Sequence, residues 1–401
     1  MATEQSASPK GAFLGERLAD LAQVSPLYYC RLEGDRAETL SLAAYWLRQY
    51  PDPSKKPACS IESLKSWQDE FHGAQMVKGN KRLASWVWKA GELPSGQVVP
   101  SDRSDLVEWQ WNLAGRITGV GCETHAGKAQ WQSWQFEGGF ATCGSYEWIA
   151  DKNPAEGSGA DKIASAQTAF VALPDDATVV VLQRAETLRP IHINRVMGLY
   201  MNIPNDVYNG GKRNYRIDGR KRQLTGAGSG PMPAEEAIRC KQGTLEIDGR
   251  ITVGAVYGDE GLTLYRPGQR QVNLAHNLPL AFSGRGGNLY CDIVSMAFCD
   301  QQKFYNANEK LYDIGAVIRI DGKVEAKKRP EGGQACRVVE VSGADGRRYL
   351  LAVNFEASPA MVEISGIDTG KLKILCGKAE KSASGGLRLS MEAGQVTLVS
   401  Y

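Results

Sequence analysis

After residue 85, apolar and polar residues alternate with a period of two in short runs separated by Gly, Pro, Asn and Asp. That period belongs to strands joined by tight turns. Strands are predicted over Ser85–Ala90, Val107–Leu113, Trp131–Phe136, Thr168–Leu173, Thr178–Gln183 and Thr244–Ile247. They continue over Ile251–Tyr257, Leu262–Tyr265, Leu289–Met296 and Gly315–Ile320. Between the two apolar runs at 168–173 and 178–183 lies Pro174-Asp175-Asp176-Ala177. This is a turn in which Pro pre-sets φ and the Asp side chains bond their own backbone. Before residue 51 the period is helical: Leu14, Leu18, Leu21 and Ala22 share a stripe. Asp35 can cap a second helix carrying Leu40, Ala43, Ala44, Leu47 and Tyr50. Pro51-Asp52-Pro53 stops it.

The pattern predicts a mainly β protein: a large antiparallel β-sandwich, preceded by a short helical segment and followed by a small all-β C-terminal domain. The divisions expected are a disordered tail at 1–12, a helical segment at 13–64, a large sandwich at 65–323 and a small sandwich at 334–401. The charged, turn-rich stretch Lys323–Gly333 marks the last boundary. Beyond it, strands are predicted over Cys336–Ser342, Arg348–Phe355, Met361–Ile364, Leu372–Cys376, Leu387–Met391 and Val396–Tyr401.

Composition narrows the function classes. With 47 basic and 45 acidic side chains the formal charge is +2, so no footprint for nucleic acid or an anionic membrane is expected. No run of about 18 apolar residues occurs, so no membrane-spanning helix is expected. The N-terminus has neither a basic nor an apolar leader region. The expected location is cytoplasmic, or periplasmic or secreted if a leader has been removed. Nine cysteines at irregular spacing, with no CxxC, predict free, mostly buried thiols in place of a zinc site or a disulfide framework. Four scattered histidines (72, 125, 192 and 276) give no ligand spacing, so neither metal nor cofactor is expected. Gly284-Arg285-Gly286-Gly287 precedes no helix and reads as a loop, not a phosphate cradle.

The richest polar stretch runs from His192 to Gly211. It carries His192, Asn194, Arg195, Asn202, Asn205, Asp206 and Tyr208. Removing the α-proton of a uronic acid needs a base and a group that neutralises the carboxylate. His192 and Tyr208 are the candidate bases; Arg195 and Asn205 are the candidate neutralisers. The competing reading is a loop whose Asn and Asp side chains satisfy its own backbone. Trp131, Trp134, Phe136, Glu137 and Tyr146 combine rings with a carboxylate, as a sugar-binding face requires. The substrate-binding candidates are therefore Trp131, Trp134, Glu137, Tyr146, Asn202 and Asp206. A glycosidase would need a second carboxylate for Glu137, with Asp206 and Glu108 available. Packing between sheets is the competing role for the tryptophans. The basic run Lys212, Arg213, Arg216, Arg220, Lys221 and Arg222 reads as a solvated hairpin, or as an attractor for an acidic polysaccharide.

The C-terminal block contains Val353-Asn354-Phe355-Glu356 at the end of a strand and closes on Gly394-Gln395-Val396-Thr397-Leu398-Val399. This resembles the small all-β domain that ends many glycoside hydrolases and polysaccharide lyases. The order of segments over most of the chain is similar to the C-terminal half of toroid-type polysaccharide lyases, the hyaluronate-lyase and heparinase-like group. In that resemblance residues 13–50 match the last toroid helices, and the large sandwich is a supersandwich. It implies a carbohydrate-active protein, part of a polysaccharide lyase or glycoside hydrolase, with a polysaccharide or oligosaccharide ligand. The rest of the toroid has no counterpart in the sequence, so a helical catalytic domain or subunit is the implied partner. The alternative is a non-catalytic glycan-binding or assembly module.

Overall fold

The computed structural model describes residues 66–89, 94–103, 106, 107, 112–119, 124–126, 130–150, 161–205, 211–226, 233–258, 261–268, 272, 273, 278, 279, 290–333, 336–383 and 385–401. Of the N-terminal segment it describes residues 37, 38, 41, 42, 44, 45 and 48, all helical. The protein is mainly β, as the periodicity predicts, and its sheets pair antiparallel throughout the strands considered below.

A ten-stranded sheet runs in the order Arg220–Thr225, Lys212–Ile217, Thr244–Ile247, Ile251–Tyr257, Lys310–Ile320, Thr178–Thr187, Asp161–Ala172, Gly139–Ala150 and Thr124–Ala126, with Gln130–Phe136 also paired to Gly139–Ala150. Facing it is a six-stranded sheet ordered Glu236–Cys240, Leu262–Arg266, Cys291–Cys299, Ile191–Pro204 and Lys303–Tyr305, with Arg116–Gly119 on Ile191–Pro204. Phe140, Phe170, Val179, Val181 and Ile318 from the first sheet meet Val196, Met201, Leu264 and Val294 from the second in the main core.

Strands buried on both faces cannot alternate in polarity. Asp161–Ala172 shows this: its second half reads Thr-Ala-Phe-Val-Ala, all buried. Odd-numbered residues there face away from the main core and meet a second one. Cys143, Ala169, Val171, Val180, Leu182 and Val317 pack against Val339, Val341, Leu351, Val353 and Leu398 of a five-stranded sheet. That sheet is ordered Ala326–Arg329, Cys336–Ser342, Arg348–Asn354, Val396–Ser400 and Lys373–Cys376. Its other face closes a third core against Ala360–Ile364, Leu387–Met391 and Ala379–Lys381. The result is four stacked sheets with three apolar layers between them. A separate four-stranded sheet over residues 66–100 adds Val77, Ala84, Trp86 and Val98 to the end of the main core.

Most predicted strands coincide with observed ones. Three local expectations need correction. Lys323–Gly333 holds a strand, Ala326–Arg329, which pairs with Val338–Val341 as an edge of the five-stranded sheet. Of Val107–Leu113, the described residues 107, 112 and 113 are not strand; Leu113 has φ 63° and its N–H donates to the Tyr200 carbonyl. The polar stretch at 192–205, weighed above as a loop, is strand to Pro204. The described cysteines (143, 240, 291, 299, 336 and 376) are free thiols, and all but Cys299 are buried. Cys30, Cys59, Cys122 and Gly284–Gly287 lie outside the described residues.

The Ile191–Pro204 strand is kinked at its centre. Leu199 and Tyr200 have φ of 63° and 41°, and the register to Cys291–Cys299 shifts between Gly198 and Met201. Positive φ at two bulky residues costs energy, so the kink needs outside support. Gln183 supplies it from the facing sheet. Its Oε1 accepts the Leu199 N–H at 2.7 Å and its Nε2 donates to the Leu113 carbonyl at 2.7 Å, all buried. Gly198 leaves room for Ile314, since a Cβ there would lie 2.5 Å from the Ile314 side chain. Replacing Gln183 with Leu strands one buried N–H and one buried C=O. We expect a loss of roughly 1–3 kcal/mol for each orphaned group, read as a lower midpoint in urea with an unchanged slope.

The 174–177 turn forms as the sequence predicts and extends further. Asp175 Oδ1 accepts the N–H groups of Ala177 (3.1 Å) and Thr178 (2.9 Å), and its Oδ2 accepts the N–H of Ala344 at 2.8 Å. Burial acts to raise the Asp175 pKa, but these bonds, led by the Thr178 hydroxyl, outweigh it and the pKa is lowered. A carboxyl with a depressed folded pKa stabilises above its unfolded pKa, and that stability is lost as pH falls through the folded value. Asp175→Asn should therefore cost roughly 1–3 kcal/mol at about pH 7. The gap to wild type should narrow as pH falls below the ordinary carboxylate range and through the depressed folded value, measured by urea unfolding over a series of acidic pH values.

Candidate functional site

The sequence-nominated residues fall in separate places. On the Ile191–Pro204 strand, His192 is exposed with its ring 5.0 Å from Phe304. Arg195 is half-buried; its Nε donates to Asp300 Oδ1 at 2.6 Å and its guanidinium lies 5.0 Å above the Tyr265 ring. Asn202 is fully buried, and both side-chain amide atoms lack a partner among the described residues. Asp206 and Tyr208 lie outside the described residues, as does Glu108.

Asn205 is fully buried in a polar cluster between the two main sheets. Its Nδ2 donates to Asp292 Oδ2 at 2.7 Å, and the Tyr215 hydroxyl donates to the same oxygen at 2.8 Å. Arg266 Nε donates to Asp292 Oδ1 at 3.2 Å. Burial raises the Asp292 pKa despite these partners, and it pushes the Tyr215 phenol well up. This cluster ties strand ends together across the sandwich, so Asn205 is occupied as a structural donor.

The aromatic set does not assemble with these groups. Trp131 sits opposite Gly144, where a Cβ would lie 2.3 Å from the indole. The ring therefore lies on the main-core face, 5.4 Å from Trp86 and 6.3 Å from Trp88. Trp134 takes the opposite face and packs on the second core. Tyr146 is buried beside Trp148, and burial holds its phenol pKa well above the usual range. Glu137 is exposed in the turn joining Gln130–Phe136 to Gly139–Ala150. A shared groove for Trp131, Trp134 or Tyr146 with the His192 segment, which a single sugar site would need, is not formed among the described residues.

A concave site does form elsewhere. A groove of about 540 Å³ opens where the outer face of the ten-stranded sheet meets the C-terminal sheets. Its walls include Gln130, Gln132, Ser145, Gln167, Arg184 and Glu356, and of the sequence-nominated residues Trp131 also borders it. Strand alternation places them: Arg184 follows Val180 and Leu182 on the outward face, one step beyond the last residue covered by the C-terminal sheet. Arg184 Nη1 donates to Glu356 Oε1 at 2.5 Å and Nη2 donates to Glu186 Oε2 at 3.2 Å. Gln167 Nε2 donates to the Phe355 carbonyl at 2.6 Å, tying the floor to the opposite wall.

The Val-Asn-Phe-Glu motif has a structural reason here. Asn354 is fully buried; its Nδ2 donates to the Ser358 and Glu392 carbonyls, and its Oδ1 accepts the Glu356 N–H at 3.0 Å. These bonds shape the turn that presents Glu356, while Gly394 (φ 67°) donates its N–H to the Asn354 carbonyl. Sequence reasoning missed Gln167, Arg184, Glu186 and Glu356 as a group. The signal available was weak: polar residues at alternate positions just past apolar runs. The described residues hold no cluster of three or more His, Cys, Asp or Glu suited to a metal ion. No helix among them is long and apolar enough to cross a membrane.

No protein-family model matches the chain, and no curated protein matches it. Among solved structures, a heparinase III aligns with 79% of this chain and 47% of its own length, at 10% identity and a TM-score of 0.41. A putative mutarotase from Salmonella typhimurium aligns with 62% of this chain and 90% of its own, at 10% identity and a TM-score of 0.33. A GH36 α-galactosidase from Geobacillus stearothermophilus aligns with 64% of this chain and 40% of its own, at 9% identity and a TM-score of 0.33. The chain thus spans about half or less of the heparinase and the galactosidase. The chain is similar to these carbohydrate-active enzymes only coarsely, and likeness at this level carries no argument about its activity.

Proposed function

We propose that this chain is the glycan-binding β-sandwich portion of a carbohydrate-active protein. In this reading an oligosaccharide lies in the groove between the ten-stranded sheet and the C-terminal sheets, and bond-breaking groups come from another region or subunit. The observation that carries the reading is the groove's chemistry. It is of ligand size, and its walls combine amides, hydroxyls and a carboxylate–guanidinium–carboxylate row with apolar members that include Trp131 and Phe355.

Sugar hydroxyls both donate and accept, so they are matched by planar groups that do the same in fixed directions. Gln130, Gln132 and Gln167 offer both roles; Glu186 and Glu356 accept; Arg184 donates. Arg184 orients both carboxylates before any ligand arrives, which lowers the ordering cost on binding. The same pairing commits Glu186 and Glu356 to charge-assisted bonds. That suits hydroxyl recognition better than the separate acid and base roles of a glycosidase pair. His192 and Arg195 stand on the six-stranded sheet, away from this groove, and enter the reading only as surface groups.

Calorimetric titration with neutral and uronate-containing oligosaccharides tests the proposal. Wild type should bind at least one class. Glu356→Gln keeps shape and removes charge, so it should weaken that binding by about tenfold, the equivalent of roughly 1.4 kcal/mol. Its melting temperature should stay within a few degrees of wild type. Wild type that binds none of the oligosaccharides, or a variant that binds equally well, contradicts the proposal.

A further inference from the structure

Among the described residues, the two main sheets end in edge strands on the same side of the sandwich. Arg220–Thr225 is the edge of the ten-stranded sheet and Glu236–Cys240 the edge of the six-stranded one. Between them lies a second groove of about 410 Å³, lined by Arg220, Arg222, Arg239, Lys241, Ile238 and Gln242. Asp218 also lines the groove, and its carboxylate accepts the N–H groups of Lys241 (2.9 Å) and Gln242 (2.8 Å).

The basic run of the sequence divides in two here. Arg213 and Arg216 turn to Asp248 (2.9 Å) and Glu246 (3.6 Å), within the ten-stranded sheet. Arg222 meets Glu236 across the groove at 3.7 Å, a pair about half exposed on both sides. Arg220 and Lys241 form no ion pair with any described residue. In a chain of net charge +2, the groove brings four cations (Arg220, Arg222, Arg239 and Lys241) together with two carboxylates, Asp218 in its lining and Glu236 against Arg222.

We infer that this edge groove binds a linear anionic polysaccharide. Arg220 and Arg222 sit two residues apart on one strand face, so their side chains leave the backbone about 7 Å apart. A single small anion cannot engage both of these and the cations of the opposite edge, whereas a chain with repeated charges can. Guanidinium forks match carboxylate and sulfate oxygens bidentately. A single-stranded nucleic acid would also seek aromatic rings on which to stack, and the groove lining contains none. Inward-pointing charge on edge strands also discourages sheet-to-sheet aggregation, which is the competing explanation of the same arginines. The site is distinct from the Arg184–Glu356 groove, so its failure leaves that reading intact.

Fluorescence anisotropy with labelled dextran sulfate, neutral dextran and oligothymidylate separates these readings. Wild type should bind dextran sulfate, with affinity falling steeply as salt is raised, and should leave neutral dextran free. The double variant Arg220→Ala, Lys241→Ala should bind dextran sulfate at least tenfold more weakly, with unchanged melting temperature and oligomeric state. The control double variant Lys371→Ala, Lys373→Ala, which removes two exposed cations outside both grooves, should bind it as wild type does. Equal dextran sulfate binding by the double variant, whether or not that variant self-associates, overturns the inference. So does oligothymidylate binding as tight as dextran sulfate binding.

Discussion

The structure depends on the apolar layer between the ten-stranded sheet and the C-terminal five-stranded sheet. Ala169, Val171, Val180, Leu182 and Val317 would otherwise face water as one continuous apolar surface. Covering each large aliphatic side chain is worth about 1.5–3 kcal/mol, so the two halves cannot separate without exposing a sum comparable to total domain stability. The ten-stranded sheet is thereby fixed as a middle layer, with a core on each face.

Other features follow from that placement. A middle sheet has few polar positions, and those it carries must be matched. Gln183 spends its amide on the kinked strand opposite, and Arg184, its neighbour on the other face, reaches the C-terminal turn. One strand thus serves two layers through consecutive residues. The groove exists because the C-terminal cover stops short of the sheet's end, leaving Gln167, Arg184 and Glu186 open beside Glu356. Where the sheet's far edge passes beyond both cores, the side chains change to arginine and lysine.

The sequence was legible where one rule governed. Strand limits at Thr244–Ile247, Ile251–Tyr257, Cys336–Ser342 and Leu387–Met391 match the periodic reading, and the Asp175 turn was foreseen from its own side chains. It was obscure where a side chain's partner lies far along the chain. Asn205 reads as a loop residue until Asp292, 87 positions on, is placed beside it. Asn202 and the kink at Leu199–Tyr200 depend on Asn112 and Gln183, which no local pattern connects to them. The grouping of Arg184 with Glu356 crosses 172 positions and two sheets. Trp131 and Trp134 were read together from spacing, but a period of two sends residues three apart to opposite faces.

The central claim is that the C-terminal sheets and the ten-stranded sheet form one cooperative body through their shared layer. Native-state hydrogen exchange tests it directly. The account predicts that amides of Arg348–Asn354 and of Thr178–Thr187 open with the same free energy and the same dependence on denaturant. Exchange of Arg348–Asn354 at a markedly lower free energy, with Thr178–Thr187 still protected, would contradict it.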